Sequence, residues 1–454
     1  MIPSRIAALL LAVALSASLG VLGACGSIPS PAADVAEEQA GAPGARVRLV
    51  RENGLPGESY AELASDGAWS WFGGPRAVFH AGGHRRTYAG FVTSTGDVTL
   101  AHFDHDSAEI VSAVAKEKLQ QDDHASPAVL VRPDHRLMVF YSGHRGRWMV
   151  YRLSANAEDI TSWGSEHAAS GHTSDYAGYT YPNAVLLTGE DDRRYVFWRG
   201  ADYLPTFAFS ETGLSWSEPA VLVHGDGERP FVKMATDGAS TIHFAFTNDH
   251  PGEEPANSIY YVCYRDGEFR RADGSPVGTM EDLPLAFEDV DLVYDAADGG
   301  APAWLWDVAF DASGNPVIAY AAFPHVDDHR YRYARWDGAA WMDTEMALGG
   351  ARFPKVEKGR RHFDPYYSGG VSLDPTDPSV AYLSRPVSGV FEIERWTTPD
   401  GGRSWTSEAV TSGSAFDNVR PVVPIGHAPD GPGLIWMNGS YVDFTAYSTS
   451  LRMK

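Results

Sequence analysis

The sequence predicts an all-β protein assembled from repeated small antiparallel sheets, and three observations predict it. Aromatic residues make up 12% of the 454, with 13 Trp and 21 Tyr, while 46 Gly and 29 Pro supply frequent turns. At 44% hydrophobic, such a chain buries a core and is not disordered. Short apolar runs recur along the chain, each followed by an Asp-, Gly-, Pro- or Asn-rich turn and a second aromatic-rich run, which is a hairpin signal. A degenerate Asp-box, Thr398-Pro-Asp-Gly-Gly-Arg-Ser-Trp405, fits Ser/Thr-x-Asp-x-Gly-x-x-Trp. Weaker copies stand at Phe209–Trp216 and Asp337–Trp341, all read as blade hairpins without chemistry.

From the N-terminus, residues 1–24 carry Arg5 and then an apolar run from Ile6 to Leu22, the pattern of a secretory signal peptide. The run ends Leu22-Gly-Ala-Cys25, which resembles a bacterial lipobox and makes Cys25 the expected lipidated first residue. An ordinary cleaved signal with an incidental Cys is the competing reading. Residues 25–45, rich in Ala, Pro, Ser and Glu, read as a flexible tether. With Cys25 acylated, Cys263 has no disulfide partner, and its aromatic strand setting predicts a buried structural thiol. The expected location is extracytoplasmic, on a membrane through the Cys25 lipid.

Residues 46–454 hold seven strand-turn-strand units. The incoming strands are Thr87–Val92, Ala128–Val131, Ala184–Leu187, Phe231–Ala235, Trp306–Phe310, Gly370–Leu373 and Val419–Ile425. Their partners are Val98–Phe103, Leu137–Tyr141, Tyr195–Trp198, Ile242–Phe246, Val317–Tyr320, Val380–Leu383 and Leu434–Met437. Radial repetition of small sheets protects strand edges, so the units read as one seven-bladed β-propeller. A two-sheet sandwich is the competing fold.

Charge narrows the function. Lys and Arg total 36 against 59 Asp and Glu, a formal charge of −23, which argues against a nucleic-acid partner. A polyanion met by a local cationic cluster stays open. No Gly-rich phosphate loop and no Gly-x-Ser-x-Gly elbow appears, so ATP, NAD and serine-hydrolase readings have no support.

Two hairpins carry polar residues at their open ends. His124 and His144 are equidistant from Asp134 in the turn of the second unit, so antiparallel pairing makes them neighbours. Tyr181 and Arg199 are equidistant from Glu190 in the third unit. Equivalent blade ends share one face, so all four converge there. Singly, each reads more readily as structural; the agreement of two hairpins singles them out. Arg229 and Lys233 open the fourth unit and would add cations to that face, while Asn418, Arg420, Tyr367 and His362 open later units. The run of His102, Asp104, His105 and Asp106 matches no specific metal motif.

Asp122-Asp-His-Ala-Ser-Pro-Ala-Val-Leu130, Phe140-Tyr-Ser-Gly-His144, Tyr181-Pro-Asn183 and Phe197-Trp-Arg-Gly200 resemble the BNR-repeat family that includes the propeller ulvan lyases and related rhamnosyl-glucuronate lyases. Arg229–Lys233, Tyr366–Gly370 and Asn418–Pro421 extend the resemblance over almost all of 46–454. Ala125 and Ala184 depart from it, at positions where Asn and Pro are common. The resemblance implies β-elimination on a uronic-acid polysaccharide, with Tyr181 as acid and also a candidate base. Arg199 suits neutralisation of the uronate, His124 and Tyr181 are the alternatives for base, and His144 orients or assists. Arg229, Lys233, Asn183 and Arg420 are the candidate substrate-binding residues. No cofactor is expected for the chemistry; a structural calcium or zinc ion stays open, with no assigned ligands. The expected partners are an anionic polysaccharide and the membrane, with the protein a monomer. A sialidase-like or rhamnosidase-like hydrolase using Asp122 and Asp123, or a non-catalytic glycan-binding lipoprotein, are the alternatives.

Overall fold

A computed structural model describes residues 45–46, 49–50, 60–174, 177–225, 227–354 and 364–454. The expected signal peptide, Cys25 and His362 lie outside the described residues, as does all of the expected tether but Ala45. Seven small antiparallel sheets form a ring, a seven-bladed β-propeller. Among the described residues no helix is long and apolar enough to cross a membrane.

We number the blades I to VII by their innermost strands: 77–81, 128–131, 180–187, 232–236, 303–310, 370–373 and 417–422. Each runs outward as a meander, and blade IV adds outer strands at 276–279 and 291–294. Blade VII is closed from the other end of the chain: strand 60–64 lies outside 446–453, with Glu62 bonded to Arg452 across the seam. Second strands are buried on both faces by neighbouring blades. Every residue of Leu137–Tyr141 and of Thr241–Thr247 is buried, which explains their continuous apolar character.

In blades II to VII the sequence-derived hairpins are the two innermost strands. Blade I differs: Thr87–Val92 and Val98–Phe103 do pair, but as its second and third strands. Its innermost strand is Ala77–Ala81, whose burial fades toward the Gly82-Gly83 turn and left a weaker apolar signal.

The Asp-boxes clip the turns between third and fourth strands. Gly402 N donates to Thr398 Oγ1 at 2.7 Å, and Ser404 N to Asp400 Oδ1 at 2.8 Å. Trp405, Trp216 and Trp341 each set their ring against a Tyr of the preceding blade: Tyr333, Tyr151 and Tyr261. All three boxes therefore join blades as well as turn the chain.

A plug fills the centre. The segment Trp69–Phe72 enters it, and Trp71 stacks on Trp306 at 4.4 Å and donates its Nε1–H to Leu305 O. Phe72 packs on Phe231 and Tyr181. This aromatic plug separates two cavities, an upper one of about 240 Å³ and a lower one of about 190 Å³.

Candidate active site in the upper cavity

Residues from blades II to VII line the upper cavity, among them His124, His144, Tyr181, Arg199, Arg229 and Tyr367. His124 sits in a single 3-10 turn, 123–125, capped by Asp122, just before the first strand of blade II. The register Ala128↔Phe140 places residues 124 and 144 opposite each other. Their rings stack at 4.1 Å, 3° from parallel. Asp122 bridges the pair: His124 Nδ1 is 2.7 Å from Oδ1, and His144 Nδ1 is 2.8 Å from Oδ2. The Nε2 edge of each ring is left for another partner.

One charge is divided unequally between these rings. Burial alone would lower His124, but the carboxylates of Asp122 and Asp123 outweigh it and push the imidazole up to about 9. Burial, reinforced by the charge on His124, brings His144 down to about 4. At neutral pH the pair holds one imidazolium, on His124, and one neutral ring. Burial would raise Asp122, yet its two imidazole partners hold it well below the ordinary carboxylate range.

Tyr181 arrives by a bulge. Thr180 pairs with Arg199 and Asn183 with Phe197, leaving Tyr181 and Pro182 out of register. Pro182 has no N–H to give the ladder, and Tyr181 takes a φ of +59°, a costly conformation for a residue with a Cβ. Arg199 is thus register partner to Thr180, one place from the sequence expectation, but its guanidinium still lies over the Tyr181 ring at 4.9 Å. Arg199 also donates to Gly178 O and Thr180 Oγ1. Burial pushes the Tyr181 phenol up, Arg199 opposing, so it is a proton donor at rest.

Asp123 lies under this layer, wholly buried, accepting from Arg420 and from the Tyr441 hydroxyl. Arg420 is only 2% exposed and repeats the Tyr181 device: a bulge, a following Pro421 and a φ of +52°. Its place is beneath the upper cavity rather than on its wall. Lys233 and Asn183 also turn away from it. Lys233 Nζ donates to Trp71 O at 2.7 Å and lies 3.8 Å from Asp307, on the lower cavity. Asn183 donates to Phe72 O and Tyr181 O, holding the plug against the bulge. Of the four expected substrate contacts only Arg229 lines the upper cavity. The other three were expected there because their positions open the strands, but side-chain direction alternates along a strand, and all three line the lower cavity instead.

The remaining candidates separate similarly. Tyr367 lines the upper cavity, whereas Asn418 is buried among Glu392, Trp436 and Asn438. Asp104 is taken by Arg86 and Ser107, and His105 by Thr87, so that run does not close on an ion. Cys263 is buried, and burial raises its thiol. Sequence reasoning missed Arg145, Tyr203, His250, Trp304 and Phe444 on the cavity wall. Arg145 and Tyr203 stand one and four residues from His144 and Arg199, a proximity that could have marked them. Tyr203 carries the guanidinium groups of Arg145, Arg199 and Arg229 within 5.6 Å of its ring, so three cations meet there. Asp122, His124 and His144 also have the residue types and closeness to hold a metal ion. Their ring Nδ1 atoms are already engaged by Asp122.

Residues 86–348 match the profile of the BNR repeat-containing family. No curated protein sequence matches the chain. Among solved structures, a polysaccharide lyase named PL25-Ulvanlyase, in one case bound to -[GlcA(1-4)Rha3S]-, superposes with a TM-score of 0.65 at 15% identity, over 86% of this chain and 94% of its own. Polysaccharide lyase Uly1 superposes with a TM-score of 0.55 at 12% identity, over 88% and 93%. At these identities the likeness is one of fold.

Proposed function

The chain belongs to the BNR repeat-containing family, and from the chemistry of its upper cavity we propose that it is a polysaccharide lyase acting by β-elimination on a uronic-acid-containing glycan, ulvan or another rhamnose–glucuronate polymer. One observation carries this reading: a once-charged imidazole pair, a protonated phenol and a guanidinium line the same cavity. The glucuronate-containing oligomer bound by the PL25-Ulvanlyase supports the substrate class.

Elimination needs the uronate carboxylate neutralised, so that the C5 proton becomes acidic. Arg199 and the His124 imidazolium supply that positive charge. His144, the neutral ring, accepts the C5 proton on Nε2. The electron pair forms the C4–C5 double bond as the C4–O bond breaks, and Tyr181 donates its phenolic proton to the departing oxygen. Water is not consumed and no cofactor takes part. Arg145 and Arg229 hold further anionic groups of the chain. A hydrolase would need two carboxylates free to face the sugar; Asp122 and Asp123 are engaged by imidazoles or Arg420, and the two carboxylates on the cavity wall, Asp249 and Glu253, both face Arg229.

The reading extends to the chain's setting: a signal peptide at 1–24, a lipid on Cys25, a tether to 45, and a monomeric catalytic domain from 46 to 454 on the extracytoplasmic side of a membrane. Cys25→Ser would then release the protein from membranes. The activity test is incubation with ulvan and related polymers while following the ultraviolet absorbance of the unsaturated uronate. A rise that disappears in Tyr181→Phe and His144→Ala is expected. Reducing ends without a rise would replace the lyase by a hydrolase.

A further inference from the structure

The first hairpin of blade II carries a second histidine cluster, at the end away from His124 and His144. His135 sits in the hairpin turn, His80 near the end of the innermost strand of blade I, and Glu158 in the loop after the third strand of blade II. His80 Nε2 lies 2.9 Å from His135 Nδ1 and 3.4 Å from Glu158 Oε1. We propose that His80 Nε2, His135 Nδ1 and Glu158 Oε1 form a zinc site that ties blade I to blade II.

The spacing fits the ion. Zinc bonds of about 2.0–2.2 Å at tetrahedral angles put neighbouring donor atoms about 3.3 Å apart, and both measured separations fall within half an ångström of that. Two imidazole nitrogens facing each other can share one proton or direct both lone pairs at a cation. The carboxylate is already anchored: Gly83 N donates to Oε1 at 2.8 Å and His84 N to Oε2 at 2.9 Å. Such outer bonds orient ligands before a metal arrives.

Gly82 supplies an independent observation. A Cβ on it would fall 1.9 Å from Glu158 Oε1, 2.7 Å from His80 Nε2 and 2.9 Å from His135 Nδ1. No residue with a side chain therefore fits beside the three donors at this position, and the glycine lets them converge. Two imidazoles and one carboxylate suit zinc, whereas calcium and magnesium take oxygen sets. A fourth position stays available for water. The site is remote from the upper cavity and does not depend on the lyase reading.

The test uses the full chain, stripped with a chelator, dialysed with zinc chloride and assayed by elemental analysis. About one zinc per chain is expected, with a higher melting temperature than the stripped protein. His135 is exposed in a turn, so His135→Gln should fold normally. That variant should keep less than about a tenth of the zinc and lose the zinc-dependent rise in melting temperature. Cobalt in place of zinc should give the visible bands of a tetrahedral centre in the parent and not in His135→Gln. Zinc retained undiminished by His135→Gln, zinc lost from His124→Ala instead, or no zinc bound by the parent, would each overturn the proposal.

Discussion

At each end of one hairpin, Ala128–Val131 with Leu137–Tyr141, two histidines and one carboxylate gather, in opposite arrangements. At the open end Asp122 stands between the rings, bonded to both Nδ1 atoms, and His124 and His144 stack face to face. At the turn end the carboxylate stands beside the rings, and His80 and His135 point nitrogen at nitrogen. A carboxylate placed between imidazoles fixes which of them holds a proton. Placed beside them, it completes a set of donors for a cation. Position of the carboxylate, more than residue type, separates proton chemistry from ion binding.

The largest effect expected is on activity. Tyr181→Phe and His144→Ala should each lower the lyase rate by roughly 10²–10⁴-fold, while His135→Gln leaves it unchanged. The double-bond absorbance, followed on folded variants, measures this; equal losses at both ends of the hairpin would break the comparison. Next is the support beneath the open end. Arg420→Met leaves the buried Asp123 carboxylate without its guanidinium partner, with the His124 imidazolium still beside it, and should cost about 3–5 kcal/mol in urea unfolding. An unchanged midpoint would mean that Asp123 takes up a proton at no cost.

The third effect concerns pH. His144 must be unprotonated, so activity should fall as pH drops toward about 4. His124 must be protonated, so activity should fall as pH rises through about 9. Asp122→Asn removes the largest support for that high value and should shift the alkaline limb downward, toward the ordinary 6.5. A limb that stays in place would assign it to another group. The smallest effect is structural: Thr398→Ala removes one Asp-box hydrogen bond acceptor and should cost about 1 kcal/mol of stability without altering the rate.

Much of this arrangement was legible in the sequence because second strands are enclosed by neighbouring blades. Leu137–Tyr141 and Ile242–Phe246 read as unbroken apolar runs for that reason. Outer strands such as Thr406–Ala409, exposed throughout, carry no comparable pattern. The neighbouring positions of His124 and His144 followed from regular pairing around Asp134. Tyr181 did not obey the same rule, since the bulge at Pro182 shifts the register by one. Lys233, Asn183 and Arg420 could not be sorted by strand position, because a place near a strand's start does not say which of the two cavities a side chain lines. Phe444, packed on His124 at 4.7 Å, comes from blade VII, and nothing local to either residue announces it.

The seam that closes blade VII also sets an order in time. Glu62 and Arg452 are 390 residues apart, so strand 60–64 leaves the ribosome long before the strand it must join. Blades II to VI can each form from contiguous chain, but the ring can lock only once residues 446–453 have been made. Until then strand 60–64, paired only with 49–50, keeps its other edge open, and a chain halted before residue 446 is an open ring whose last partner does not yet exist.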